Sequence, residues 1–210
     1  MAYVFDMQLH KVQIPAEMPE WERRFPVPGP DQDYIVTIVH GWRDGARRTT
    51  AEEMPRELIA PKPRKAWPDA LRAVNGLHVV TGRAKDAIER LNPTNHQFFP
   101  LELRTKRGVD IEGPWFAMVV TVEQDSILVN RSRVYVSNSA PDRLCDFHVD
   151  SKTTDVVVDP SQQSSDIHLW REKRFHGSLL CSDALADAFA AEDIKFFPHY
   201  RATDLPDAAG

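Results

Sequence analysis

The sequence predicts an α+β fold: a largely antiparallel sheet, a few short helices, and a proline-rich irregular N-terminal region. Three observations predict it. Short runs with period-two or continuous apolar character outnumber runs of helical period. One strand–helix–strand pattern occurs twice beyond residue 75. Nine of the sixteen prolines lie at or before position 68.

Taken in order, residues 2–10 alternate, with Tyr3, Phe5, Met7 and Leu9 on one side and Asp6, Gln8 and His10 on the other. Period two predicts a half-buried strand. Pro15, Pro19, Pro26, Pro28 and Pro30 follow. Proline fixes φ and lacks an N–H, so the passage is expected to hold neither helix nor central strand. Trp21 and Phe25 within it are expected to lie flat on the core. Tyr34 to Val39 (YIVTIV) has the composition of a buried strand ended by Gly41. Residues 43–68 are polar and irregular. The composition becomes more regular beyond them, which places a boundary near residue 75. The expected organisation is an N-terminal region over 1–75 packed on the core, an α+β domain over 76–200, and a frayed tail over 201–210.

The repeated unit comprises LHVV (77–80), Thr81, GRAKDAIERL and HQFFPLEL in its first copy. The second copy is SLL (178–180), Ser182, DALADAFAAED and IKFFPHY. Thr81 and Ser182 stand where a hydroxyl can accept from an orphan amide of the first helical turn. Asp183 favours the positive end of the second helix. Ala84, Ile88 and Leu91 form an apolar stripe, as do Leu185, Ala188 and Phe189. Burial of Leu185 and Phe189 is worth about 1.5–3 kcal/mol each. Both copies end in Phe-Phe-Pro, at Phe98-Phe99-Pro100 and Phe196-Phe197-Pro198. Between them, 115–122, 126–129, 133–137, 154–158 and 167–170 are further expected strands.

The 210 residues are 42% apolar and 27% charged, enough for a substantial core. A net charge of -5 argues against a general nucleic-acid binder, which needs a basic face. The N-terminus has no basic start followed by an apolar core, and the longest apolar stretch, Trp115 to Val122, is too short to span a bilayer. The two cysteines, Cys145 and Cys181, do not make a disulfide framework and are expected to be reduced. The implied compartment is the cytoplasm, without membrane contact.

No glycine-rich phosphate loop, paired-histidine metal motif, C-x-x-C or nucleophile elbow occurs. One cluster has a chemical look. Asp146, His148 and Asp150 share a face if Asp146–Asp150 is extended, a set able to hold a divalent metal for hydrolysis. The same alternation describes the solvent face of an amphipathic strand with Phe147 and Val149 inward, which is the reading adopted. No metal or cofactor is therefore expected. His176-Gly177-Ser178 is expected to be a turn, since a catalytic triad is spatial.

The sequences HQFFPLELRTKRG (96–108), DIHLW (166–170) and LLCSDALADAFAAEDIKFF (179–197) resemble the immunity proteins of bacterial polymorphic toxin systems, immunity protein family eleven. The resemblance covers roughly residues 75–200. It departs at Glu192-Asp193, where a glycine is usual. It implies a non-enzymatic protein that neutralises a cognate toxin by tight binding, and it carries no catalytic residues. Two other functions stand beside it: the metal-dependent hydrolase of Asp146, His148 and Asp150, and a non-enzymatic adaptor. A homo-oligomer is compatible with the sequence.

Six acidic residues lie between Asp142 and Asp166 (Asp142, Asp146, Asp150, Asp155, Asp159 and Asp166) against Arg143 and Lys152. An acidic face would steer a basic toxin surface. The expected toxin-binding set is Asp142, Asp146, Asp150 and Asp155, with Phe147 and Trp170 as exposed aromatic anchors.

Overall fold

A computed structural model describes residues 2–5, 14–26, 32–45, 47–73, 76–137, 140–146, 156–173 and 179–204. In chain order its elements are β1 (Ala2–Phe5), α1 (Pro19–Arg24), α2 (Gln32–Asp44), β2 (Glu57–Ala60), β3 (Ala70–Arg72), β4 (His78–Thr81), α3 (Gly82–Leu91), β5 (Gln97–Thr105) and β6 (Trp115–Val119). They continue with β7 (Glu123–Gln124), β8 (Val134–Ser137), β9 (Ala140–Asp146), β10 (Val157–Val158), β11 (Leu169–Glu172), β12 (Leu179–Ser182), α4 (Asp183–Ala191), β13 (His199–Arg201) and β14 (Thr203–Asp204). The fold is α+β, as the sequence predicts. Two five-stranded sheets have the orders β2-β5-β6-β4-β3 and β13-β1-β12-β11-β7. Most pairings are antiparallel; β2 with β5, β7 with β11 and β10 with β14 are parallel.

The repeat predicted from sequence is a structural repeat, except that Phe196-Phe197-Pro198 precede the last strand of the second unit, which begins at His199, whereas Phe98-Phe99-Pro100 lie within β5. In the first sheet β3, β4, β6 and β5 are neighbours in that order, all antiparallel. In the second, β11, β12, β1 and β13 follow the same order and senses. The strand in the third place is supplied by β6 in one unit and by the N-terminal β1 in the other. The helix caps match: Thr81 and Ser182 both have φ -73° and ψ 163°. Their hydroxyls accept from Ala84 N (3.4 Å) and Leu185 N (3.3 Å).

The residue just before the first strand of each unit supports that cap. Thr81 N donates to Asp69 O (2.9 Å) and Ser182 N to His168 O (3.0 Å). Thr81 Oγ1 donates to Asp69 Oδ1 (2.7 Å), while His168 Nδ1 and Ser182 Oγ share a hydrogen bond of 2.8 Å. The same two residues tie the units together. Asp69 N donates to Lys195 O and Lys195 N to Asp69 Oδ2, both 2.8 Å. His168 N donates to Asn92 Oδ1 (3.0 Å). Lys195 follows α4 and Asn92 follows α3, so each unit holds the other just past its helix. Both post-helix turns contain a non-glycine residue in the left-handed region, Thr94 (φ 66°) and Asp193 (φ 52°). Asp193 occupies the turn where the resemblance leads one to expect glycine, and aspartate tolerates this conformation better than most residues.

The clasp has a measurable weight. Asp69 is buried, and its carboxylate satisfies the Thr81 hydroxyl and the Lys195 amide. Hydrogen bonds to a charged group contribute about 1.5–3 kcal/mol, and orphaned buried donors add cost. Asp69→Ala is expected to lower the unfolding free energy by about 2–3 kcal/mol. A loss under about 0.5 kcal/mol in urea unfolding would show that the inter-unit bonds carry no stability.

Both helices and the facing sides of both sheets enclose one core, with Phe5, Val80, Ile88, Met118, Leu169, Leu185, Phe189, Phe196 and Phe197 in contact. The other side of the first sheet carries Leu71, Val79, Leu101 and Val119 against Trp21, Ile38 and Trp42 of α1 and α2. The other side of the second sheet carries Val4, Trp170 and Leu180 against Ile127, Val156 and Val158. Strands from either side of residue 75 therefore hydrogen-bond within one sheet, at β2 with β5 and β3 with β4.

Four expectations are corrected. Tyr34–Val39 is not a strand but part of helix α2, because Ile35, Ile38 and Trp42 fall on one buried side while Tyr34 and Val36 are exposed. The proline-rich passage does hold a helix, α1, with Pro19 in its first turn, where a missing N–H costs nothing. Residues 126–129 form only an isolated bridge, Ile127 to Val158; the strand falls at β7. The tail is paired through β13 and β14 up to Asp204.

Candidate functional site

A groove of about 670 Å³ runs beside β5. It is built from three segments distant in sequence: 51–56, 99–104 and 110–116. Its surface is mainly apolar, with Met54, Phe99, Leu101, Ile111, Trp115 and Phe116 among the lining residues.

The first wall is the irregular segment after α2, held by a dense set of polar contacts. Arg47 grips Glu53 with both terminal nitrogens (2.9 and 2.6 Å), and Thr50 N donates to the same carboxylate (2.9 Å). The Arg47 guanidinium keeps the Glu53 carboxyl below the usual carboxylate range, although burial pulls the other way. Trp21 Nε1 donates to Glu53 O (2.7 Å). The Gln97 side chain closes a two-bond ring with the Thr49 backbone, 2.9 Å each way. A segment without helix or strand is thus as well determined as its neighbours.

The second wall is the turn from β5 to β6. Trp115 Nε1 donates to Ile111 O (3.2 Å) and Glu112 O (3.1 Å). Gly113 sits at φ 139°, and a Cβ there would stand 3.2 Å from Trp115 Nε1. Only glycine fits both demands. At the rim, Arg104 binds Asp110 (2.6 Å), Glu102 (2.8 Å) and Glu57 (2.9 Å). These groups are substantially exposed, so the network orients charge more than it stabilises.

The lining holds no histidine, cysteine, serine or threonine. Its titratable groups are Arg56, Glu102, Arg104 and Asp110, and both carboxylates are engaged by Arg104. The groove has the chemistry of a contact surface. A second groove, of about 830 Å³, lies between α1 and α2, lined by Trp21, Phe25, Ile35, Val36 and Val39.

Of the residues singled out in the sequence, Asp142 and Asp146 lie on β9, paired with β8. Phe147, His148, Asp150 and Asp155 lie outside the described residues, as does His176-Gly177-Ser178. Among the described residues no group of three or more His, Cys, Asp or Glu side chains is placed to hold a metal ion. Trp170 is corrected: it is fully buried, not an exposed anchor. Its place on β11 turns the ring into the outer core of the second sheet, where Nε1 donates to Ser126 Oγ (3.3 Å). Ser126 in turn donates to Glu172 Oε2 from its amide (3.0 Å) and its hydroxyl (2.8 Å), and burial raises the Glu172 pKa. Cys181 is a free thiol buried in the central core, where desolvation raises its pKa. The groove was not foreseen, because no local pattern links its three segments.

The profile of the Immunity protein family (Imm11) matches residues 10–204. The chain belongs to this family. The match takes in nearly the whole chain, including most of the first 75 residues, which carry no resemblance legible by eye. For this Imm11 member it accounts for both five-stranded sheets except β1. Comparison with curated proteins gave no match. No helix among the described residues is long and apolar enough to cross a membrane.

Proposed function

We propose that the protein is an immunity protein that binds one cognate bacterial toxin in the cytoplasm and neutralises it by occupancy, without catalysis. The Imm11 match over residues 10–204 carries this reading. The groove beside β5 supports it, with an apolar lining and charges already paired at the rim.

We extend the reading to the acidic segment: Asp142, Asp146, Asp150 and Asp155 steer the encounter with a basic toxin surface, and Phe147 adds an aromatic contact. Rim charges act mainly on the association rate and a desolvated centre on the dissociation rate. The test is co-expression with the toxin encoded beside the gene, using wild type and the triple variant Asp142→Lys, Asp146→Lys, Asp155→Lys. Wild type is expected to restore growth. The folded triple variant is expected to associate roughly tenfold or more slowly at low salt. Failure of wild type to protect would refute the immunity function. Equal association rates would remove the acidic segment from the interface.

A further inference from the structure

We propose that the groove beside β5 seats an apolar segment of the toxin that carries a basic side chain. The proposal rests on the immunity reading and names the contact that reading requires.

The first argument is the lining. Protein contacts draw their affinity from a few buried aromatic and aliphatic anchors in preformed pockets. Met54, Phe99, Leu101, Trp115 and Phe116 offer such a surface, and 670 Å³ accommodates several side chains. The walls are fixed before any partner arrives, by Glu53 with Arg47 on one side and Trp115 with Ile111 and Glu112 on the other. Preorganised walls leave little ordering cost to binding.

The second argument is the main chain. β5 pairs with β6 over Gln97–Leu101 and with β2 over Glu102–Thr105, and Pro100 has no N–H. Only the short stretch Gln97–Leu101 lacks a β2 partner beside the groove, and the missing donor at Pro100 disfavours docking there by strand addition. Inserted side chains are the better match to the apolar lining.

The third argument is charge. In the lining Arg56 and Arg104 stand against Glu102 and Asp110, and Glu57, just outside it, is a further carboxylate on Arg104. Arg104 directs its guanidinium at all three carboxylates. The Glu102 and Asp110 side chains are 65% and 75% exposed and retain acceptor capacity. An incoming lysine or arginine meets open acceptors there. A small molecule is a poorer fit: these polar groups lie on an exposed rim, whereas small-molecule sites fix orientation with polar groups inside the pocket.

The experiment measures binding of the purified protein to the toxin domain encoded by the neighbouring gene, alongside growth rescue in co-expression. Ala51→Trp, at an exposed turn residue of the lining, obstructs the groove; Glu102→Lys reverses the rim charge. Each variant is expected to weaken the dissociation constant roughly tenfold or more with an unchanged urea midpoint. Glu102→Asp is expected to retain binding. If wild type neither binds nor protects, the immunity reading falls and this proposal with it. If wild type binds and protects while both variants bind as tightly or more tightly, the groove is not the seat, and the immunity reading stands.

Discussion

Acidification from pH 6.5 to 4.5 is expected to lower the unfolding free energy steeply, and replacing His78 and His96 together with leucine is expected to remove most of that slope. Both imidazoles belong to the first repeat unit and are buried against the second. His78 on β4 meets Phe197 edge-on at 5.8 Å, and its Nδ1 has no hydrogen-bond partner among the described residues. Burial lowers its pKa to about 3, reinforced by the charges of Arg72 and Arg171. Burial brings His96 to about 4; a backbone contact at Leu169 opposes this and the Arg171 charge adds to it.

The sign follows from linkage. The unfolded chain takes up these protons near pH 6.5, and the folded state only near pH 3 to 4. Stability is therefore full above pH 6.5 and falls as pH drops towards the folded values. Two such groups each contribute a slope of about 1.4 kcal/mol per pH unit, so two units of pH remove roughly 4–5 kcal/mol. That is a large part of a typical domain's total. Carboxylates do not mimic this. Glu53 and Asp193 have lowered pKa values and lose their contribution at more acid pH. Glu172, with a raised value, acts with the opposite sign. The difference between wild type and the double leucine variant isolates the histidines. Urea unfolding at pH 7, 6, 5 and 4.5 measures it; parallel curves for the two proteins would show that neither imidazole is held neutral.

The repeat was the most legible part of the fold. Helix α3 falls on residues 82–91 as read, because the Thr81 cap, the Ala84 and Ile88 stripe and the following turn all point the same way. Agreement of local signals is what makes a segment readable. Tyr34–Val39 shows the opposite case. Its β-branched run has strand composition, and only the spacing Ile35, Ile38, Trp42 betrays the helix that packs under the first sheet. The role of β1 was hidden for another reason. Residues 2–5 complete the second unit by pairing with 180–182 and 199–201, and nothing local announces so distant a partner. Trp170 followed the same logic: a tryptophan beside an acidic run looks available until Ile127, Val156 and Val158 cover its face of the second sheet. The groove is the extreme case, since its walls depend on the Gln97 and Trp21 side chains bonding to the backbone of Thr49 and Glu53, far from them in sequence.

Phe189→Ala is expected to cost about 3–5 kcal/mol. Phe189 lies at the seventh position after the Ser182 cap and is 3% exposed. Its ring stacks on Phe196 at 4.5 Å, and Phe196 meets Phe5 at 5.1 Å and Phe197 at 4.8 Å. Truncation leaves a cavity that this cluster cannot close without breaking the stack. Ile88, at the seventh position after Thr81, is its counterpart in the first unit and is fully buried; Ile88→Ala is expected to cost about 2–5 kcal/mol. The pair tests the architecture as well as the residue. Both side chains line one core formed by α3 and α4 between the two sheets. Their effects should then be non-additive, with an interaction energy of roughly 0.5–3 kcal/mol in the double variant. Additivity within about 0.5 kcal/mol would mean that each unit packs its own helix separately. A cost below about 1 kcal/mol for Phe189→Ala in urea unfolding would remove α4 from the core.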